Sequence, residues 1–187
     1  MKTIKHVALV FTMAILFTTS GFSQETPSLT DSEVASVAVV ANQIDISYAE
    51  IALKESKNTE IREFANRMVT DHNAVIQQAV DLVTKLSVTP KDNAVSESLL
   101  KDAKKTKRKL RRAGKKKFDK MYIDNEVAYH KAVIAAINSL LIPESDNKEL
   151  KGLLEAVLPA LEAHLKHAEM VQKELSSTKT MKMKHDY

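Results

Sequence analysis

Apolar residues recur along this chain at steps of three and four, in five stretches separated by short polar breaks, and that period predicts helices throughout. The first stretch opens at Thr30 or Asp31, where Thr30 and Glu33 are spaced as a capping box. Its inward face reads Val34, Ala38, Ala41, Asp45, Tyr48 and Ala52. A turn at Asn58 leads to a second helix from Thr59 to Leu86. Its stripe reads Ile61, Ala65, Met68, His72, Val75, Ala79, Leu82 and Leu86, and Pro90 marks the break after it. A shorter, weakly apolar helix from Val95 to Arg112 is expected to end at Gly114. A fourth helix runs from Lys115 to Leu141, carrying Ile123, Val127, His130 and Ile134. The segment Pro143 to Asn147 forms the last connection. The final helix carries Leu150, Leu154, Leu161, His164 and Leu175, with a kink expected at Pro159.

Two long hairpins joined by a longer connection describe an all-α, ferritin-like four-helix bundle with a crossover. The basic helix in that crossover spans about 27 Å, enough to carry the chain back along the bundle and set the second and third long helices parallel. Three glycines, four prolines and no tryptophan agree with an all-helical protein.

Composition then sets the compartment. Lys2, Lys5 and His6 precede an apolar run from Val7 to Phe17, with small residues at Gly21 and Ser23. That is the pattern of a cleaved signal peptide over residues 1–23, too short to span a bilayer. A short linker (24–29), one domain (30–176) and a flexible basic tail (177–187) are expected to follow, in a periplasmic or envelope-associated protein. The chain has no cysteine. Disulfides, thiolate ligands, thiol catalysis and a lipoprotein anchor are thereby excluded.

The candidate chemistry lies inside the stripes. Each long helix places one ionisable residue where the pattern calls for a core residue: Asp45, His72, His130 and His164. Buried groups of this kind are costly unless paired or bound. Counted from their shared turn, Asp45 and His72 sit at one height, about 20 Å away. His164 is offset from His130 by about 7–9 Å, so Glu126, one turn earlier, matches it better. The expected cluster is Asp45, His72, Glu126, His130 and His164. Imidazole and carboxylate donors suit one divalent transition metal: zinc, iron or manganese. A metal-free network of hydrogen-bonded histidines and carboxylates is the alternative. Asp71 is expected to point outward or to pair with a neighbouring helix. His167 stands one turn beyond His164 as a residue that could support the cluster.

The segments Ala41-Asn-Gln-Ile-Asp45, Phe64-Ala-Asn-Arg-Met-Val-Thr-Asp-His72, Phe118-Asp-Lys-Met-Tyr122 with His130, and Leu158-Pro-Ala-Leu-Glu-Ala-His164 occur in that order. Together they resemble the bacterial ferritin-like family called domain of unknown function 4142. Its members are often exported and labelled outer membrane proteins. The resemblance implies a ferritin-like bundle and a suspected metal site, without a defined substrate. One departure narrows the chemistry. Ferritin-like di-iron centres carry Glu-x-x-His on two helices, whereas Val69 and Leu161 stand three residues before His72 and His164. An oxygen-activating di-iron enzyme is therefore not expected. A nucleophile–base triad, a phosphate loop and a nucleotide fingerprint are also missing.

The charge is polarised. Lys101 to Lys120 contains twelve Lys or Arg and two Asp. Lys104, Lys105, Arg108, Arg111, Arg112, Lys115 and Lys116 form a candidate surface for anionic lipid headgroups or lipopolysaccharide. Its plain alternative is a solvated helix face. Nucleic acid is not an expected partner, because the protein is read as exported and the stretch lacks interleaved aromatics for stacking on bases. Homo-oligomerisation is left open.

Overall fold

The computed structural model describes residues 28–185, with side chains described to residue 177. The expected signal peptide and residues 24–27 of the expected linker lie outside the described residues. The fold is all-helical: α1 (Asp31–Glu55), α2 (Thr59–Lys85), α3 (Ala94–Arg112), α4 (Lys115–Ala136), a π-helical turn (Ile137–Leu141), the single turn α5 (Ile142–Glu144), and α6 (Lys148–His185). No helix among the described residues is long and apolar enough to cross a membrane.

Local chemistry explains the boundaries. Glu33 reaches back to accept from the Thr30 N–H at 3.0 Å and the Thr30 hydroxyl at 2.8 Å, closing the start of α1. Asn58 accepts from the Ile61 N–H at the start of α2. At the end of α2 the Ser87 and Val88 N–H groups donate to Thr84 and Val83, with Ser87 in the left-handed region at φ 54°. Gly114 does not end α3, which closes at Ala113. It is the N-cap of α4 at φ −64°, a conformation open to any residue. The helix expected to end at Leu141 instead widens into the π turn and continues to Glu144, with Pro143 in its last turn. α6 passes through Pro159 without interruption. Its backbone stays helical to His185, beyond Ser176 where the apolar pattern stops.

Contacts at the helix ends give their directions. The Asp31 carboxylate accepts from the Asp146 and Asn147 N–H groups, so α1 begins beside the α4–α6 connection. The Ser56 hydroxyl donates to Asp119 at 2.6 Å, so α1 ends beside the start of α4. Lys85 pairs with Glu149, which places the end of α2 beside the start of α6. α1 is therefore antiparallel to α2 and α4, and α2 to α6. α2 and α4 run the same way, and α3 returns the chain between them, packed against α1.

Two apolar clusters fill the interior. One gathers Ile44, Phe64, Met68, Leu110, Tyr122 and Ile123. The other, towards the α4–α6 connection, gathers Val34, Val37, Ile137, Leu141, Leu154 and Leu161. Phe64 is fully buried, with its ring edge-on to Tyr122 at 6.2 Å and to His167 at 5.2 Å. Phe64→Ala is expected to destabilise the fold by about 3–5 kcal/mol, through lost transfer energy plus the cavity left behind. Urea unfolding measures this. A loss below about 1 kcal/mol would show that this cluster is not a packed core.

Candidate metal centre

Between the two apolar clusters lie Asp45 of α1, His72 of α2, Glu126 and His130 of α4, and His164 of α6, each buried to within 4 % of full exclusion from solvent. The helical period puts each on the inward stripe of its helix. The antiparallel pairings bring them to one height. The expected offset of His164 shrinks, because helix continues through Glu144 and α6 starts at Lys148. His164 is sixteen residues along α6 and His130 fourteen from the end of α5, a difference of about 3 Å at the helical rise. The rings of His72, His130 and His164 have centroid separations of 5.4, 5.6 and 5.8 Å. A ring nitrogen from each lies within 4.8 Å of the other two, and Asp45, Glu126 and His130 form a second such group. Asp45 Oδ2 is 3.4 Å from His72 Nε2 and 3.6 Å from His130 Nε2.

Each imidazole is anchored by one nitrogen and presents the other. His72 Nδ1 lies 2.7 Å from Asn42 Oδ1, whose amide is itself fixed by donating to the Ala38 carbonyl. Asn42 Oδ1 can only accept, so Nδ1 carries the proton and Nε2 a lone pair. His130 Nδ1 meets the Glu126 carbonyl at 3.0 Å, which likewise leaves Nε2 with the lone pair. His164 Nε2 meets Asp71 Oδ2 at 2.8 Å, which leaves Nδ1. Those three free nitrogens and both oxygens of Asp45 are buried, and none has a hydrogen-bond partner unless a proton lies between Asp45 and Glu126. Buried polar atoms are rarely orphaned in a folded protein, and a set of five in one place calls for an explanation.

Residues 17–171 match the family model described as Domain of unknown function (DUF4142). The chain belongs to this family. No curated protein and no solved structure matches this DUF4142 chain.

The electrostatics of the DUF4142 site follow from burial. It pushes the Asp45 carboxyl up to about 7, against a hydrogen bond from Glu126 that works the other way. Glu126 is raised well above its usual range, by burial first and then by the nearby Asp45 charge. The two carboxyls face each other and can bond only while one of them holds a proton. Burial also lowers His72 to about 3 and His130 to about 4, with the neighbouring imidazoles adding to it. His164 is lowered by burial too, opposed by its bond to Asp71. Asp71 is less buried. Burial raises its pKa, but the bonds from His164 and Arg67 outweigh this and hold it low. Near neutral pH the three histidines are therefore neutral, the state in which imidazole is a metal ligand.

Asp71 thus takes the pairing role expected of it, on His164 of a neighbouring helix. Asn42 had no place in the expected set. It precedes Asp45 by three residues on the same helical face, and that spacing was the available signal. His167 packs against Phe64 rather than joining the cluster. Lys104, Lys105, Arg108, Arg111, Arg112, Lys115 and Lys116 are all exposed on α3 and the start of α4, away from the cluster. Among the described residues of this set, Lys105 makes an ion pair, with Asp102 at 2.9 Å, and the others make none within the chain.

A cavity of about 550 Å³ opens beside the histidines and runs towards the α4–α6 connection. Its presence corrects the expected core stripe of α2. Val75, Ala79, Leu82 and Val83 face this space and remain half-buried, and α2 contributes no fully buried residue beyond His72.

Proposed function

We propose that this protein is a ferritin-like four-helix bundle, with α3 as the crossover helix, that binds one divalent transition metal: zinc, iron or manganese. The ligands are His72 Nε2, His130 Nε2, His164 Nδ1 and an oxygen of Asp45. Glu126 sits behind Asp45 and shares its proton until an ion displaces it. The observation that carries this reading is the arrangement of each imidazole. Its outer nitrogen is held by an acceptor and its inner lone pair is left unpartnered within the buried cluster. Acceptors bonded to the outer ring nitrogen orient metal-binding histidines in this way. Four donors at about 2.0–2.1 Å from one ion in a tetrahedron lie about 3.3–3.4 Å apart. The 3.4 and 3.6 Å separations around Asp45 Oδ2 are close to that edge. Without paired Glu-x-x-His motifs the site fits metal binding in an exported protein, for metal handling or envelope stress, better than oxygen activation. Native mass spectrometry of the protein titrated with zinc tests this. One tightly held ion per chain is expected, and no ion retained above background would overturn the reading.

The exposed, largely unpaired basic face favours a second reading, which can hold alongside the first: an envelope protein that meets anionic surfaces through α3. Vesicles containing phosphatidylglycerol are expected to bind the protein at low salt and release it as salt rises. Reversing Lys104, Lys105, Arg108 and Arg111 to Glu is expected to weaken binding by about tenfold or more. Equal binding to neutral and anionic vesicles would contradict this reading.

A further inference from the structure

The cavity beside the histidines is not packed by any helix among the described residues, although its walls face inward. Along α6 its lining extends from His164 back to Leu150, about 21 Å at the helical rise per residue. The volume of about 550 Å³ also takes in space beside Tyr48 of α1 and Leu99, Ala103 and Thr106 of α3, so the stretch along α6 has a mean cross-section of at most roughly 26 Å². A helix from another protein, about 10 Å across, does not fit such a space, and neither does a bulky ring system. A single unbranched hydrocarbon chain does.

The chemistry of the lining is graded along the channel. Ala38, Ala79, Leu82, Val133 and Val157 line its length, and Leu141, Leu150 and Leu154 close the far end. The ionisable lining groups gather at the other end, where Asp45, His72, His130 and His164 present the unpartnered atoms already described, with Asp71 held on His164 and Asp102 of α3 on the same lining. Gln78 of α2 and Ala160 of α6 line the same space and are exposed, so it reaches the surface between those helices. An apolar pocket between bundle helices, with a few convergent polar groups, is a common form of small-molecule site.

We propose that this channel binds one unbranched fatty acid, its chain along the apolar lining of α2, α4 and α6 and its carboxylate at the histidine end. The position of the chain rests on the cavity alone. The position of the carboxylate rests on the proposed metal, whose charge would draw an anionic head to that end. The ligand class is a chain of roughly 12–16 carbons, set by the length of about 21 Å.

The test titrates dodecanoate and hexanoate into the purified protein, zinc-loaded and metal-free. Calorimetry gives affinity, native mass spectrometry gives stoichiometry and elemental analysis gives zinc content. One dodecanoate per chain is expected, bound at least about a hundredfold tighter than hexanoate, since six buried methylenes separate them. The cavity-filling variant Ala79→Phe/Ala136→Phe is expected to lose at least about tenfold in dodecanoate affinity while keeping its zinc and its helical circular dichroism. The single variant Ala79→Phe serves if the double does not fold. Removing zinc is expected to weaken dodecanoate by about tenfold, as one charged contact is lost. No dodecanoate bound to the zinc-loaded protein, unsaturable uptake of many molecules, or unchanged affinity in a folded filled variant would each overturn the proposal. Zinc held without dodecanoate overturns the fatty-acid site and leaves the metal reading standing. Dodecanoate held by a protein that retains no zinc, and lost on filling the cavity, supports the chain site and overturns the metal reading with the carboxylate placement.

Discussion

Replacing His72 and His164 together with leucine is expected to reduce bound zinc from about one ion per chain to background. The double variant removes two of the four proposed donors, and Asp45 with His130 alone does not make a closed site. The consequence for stability separates a metal site from a structural network. With free zinc at about a hundred times its dissociation constant, the wild-type protein gains about 2.7 kcal/mol. At roughly 2–4 °C per kcal/mol for a chain of this size, that is a rise of about 5–10 °C in Tm. The variant is expected to show no rise. Its metal-free form is expected to stay within about 1 kcal/mol of wild type. Each leucine keeps the volume and removes a buried nitrogen that has no partner, which offsets the bond lost to Asn42 or Asp71. If the histidines served only to hold the helices together, the order would reverse. The variant would then unfold easily and zinc would not stabilise the wild type. Thermal unfolding of both proteins, with and without zinc, decides between these outcomes.

The metal-free and zinc-loaded proteins are expected to respond to pH in opposite ways above neutrality. In the metal-free protein Asp45, raised to about 7, keeps in the folded state a proton that the unfolded chain gives up near its ordinary value of 3.8. The stability from this group is complete below about 3.8 and is lost as pH rises from there through about 7. Glu126, also raised, acts in the same direction. The histidines act in the other. His72 and His130, lowered to about 3 and about 4, contribute stability that is complete above 6.5 and is lost as pH falls towards those values. The metal-free protein should therefore be most stable near pH 6.5, where the histidine contribution is complete, and weaken above it, as two adjacent carboxyls are forced to ionise in a buried site. A bound cation takes the place of the shared proton, so the zinc-loaded form should hold or gain stability over the same range. Tm measured across pH on both forms checks this. Parallel falling curves would mean that the ion does not reach Asp45.

The helices and the cluster were legible in the sequence because burial writes its period into both. Asp45, His72, His130 and His164 each interrupt an apolar stripe, and counting residues from the turns brought in Glu126. The distance to His164 was misjudged for a local reason. Pro143 reads as a break, yet it lies within a helical turn, and the connection shrinks to Ser145–Asn147. The π turn at Ile137–Leu141 left no mark, because its residues satisfy an α pattern equally well. The stripe of α2 predicted the direction in which Val75, Ala79 and Leu82 point. It did not show that they meet a cavity rather than a neighbour, since periodicity encodes a face and not what fills it. Asn42 escaped notice because a polar residue at the edge of a stripe resembles an ordinary surface position until the histidine it orients is in place, whereas Asp71 was expected to point outward or to pair across helices but not specifically with His164.

X-ray absorption at the zinc edge, on protein loaded with one equivalent of zinc, tests the central claim most directly. The spectrum is expected to show four nitrogen and oxygen neighbours at about 2.0–2.1 Å, with the outer-shell scattering of three imidazole rings. Six oxygen neighbours without imidazole scattering, unchanged in the His72→Leu/His164→Leu variant, would place the ion on the surface and contradict a metal centre at this cluster.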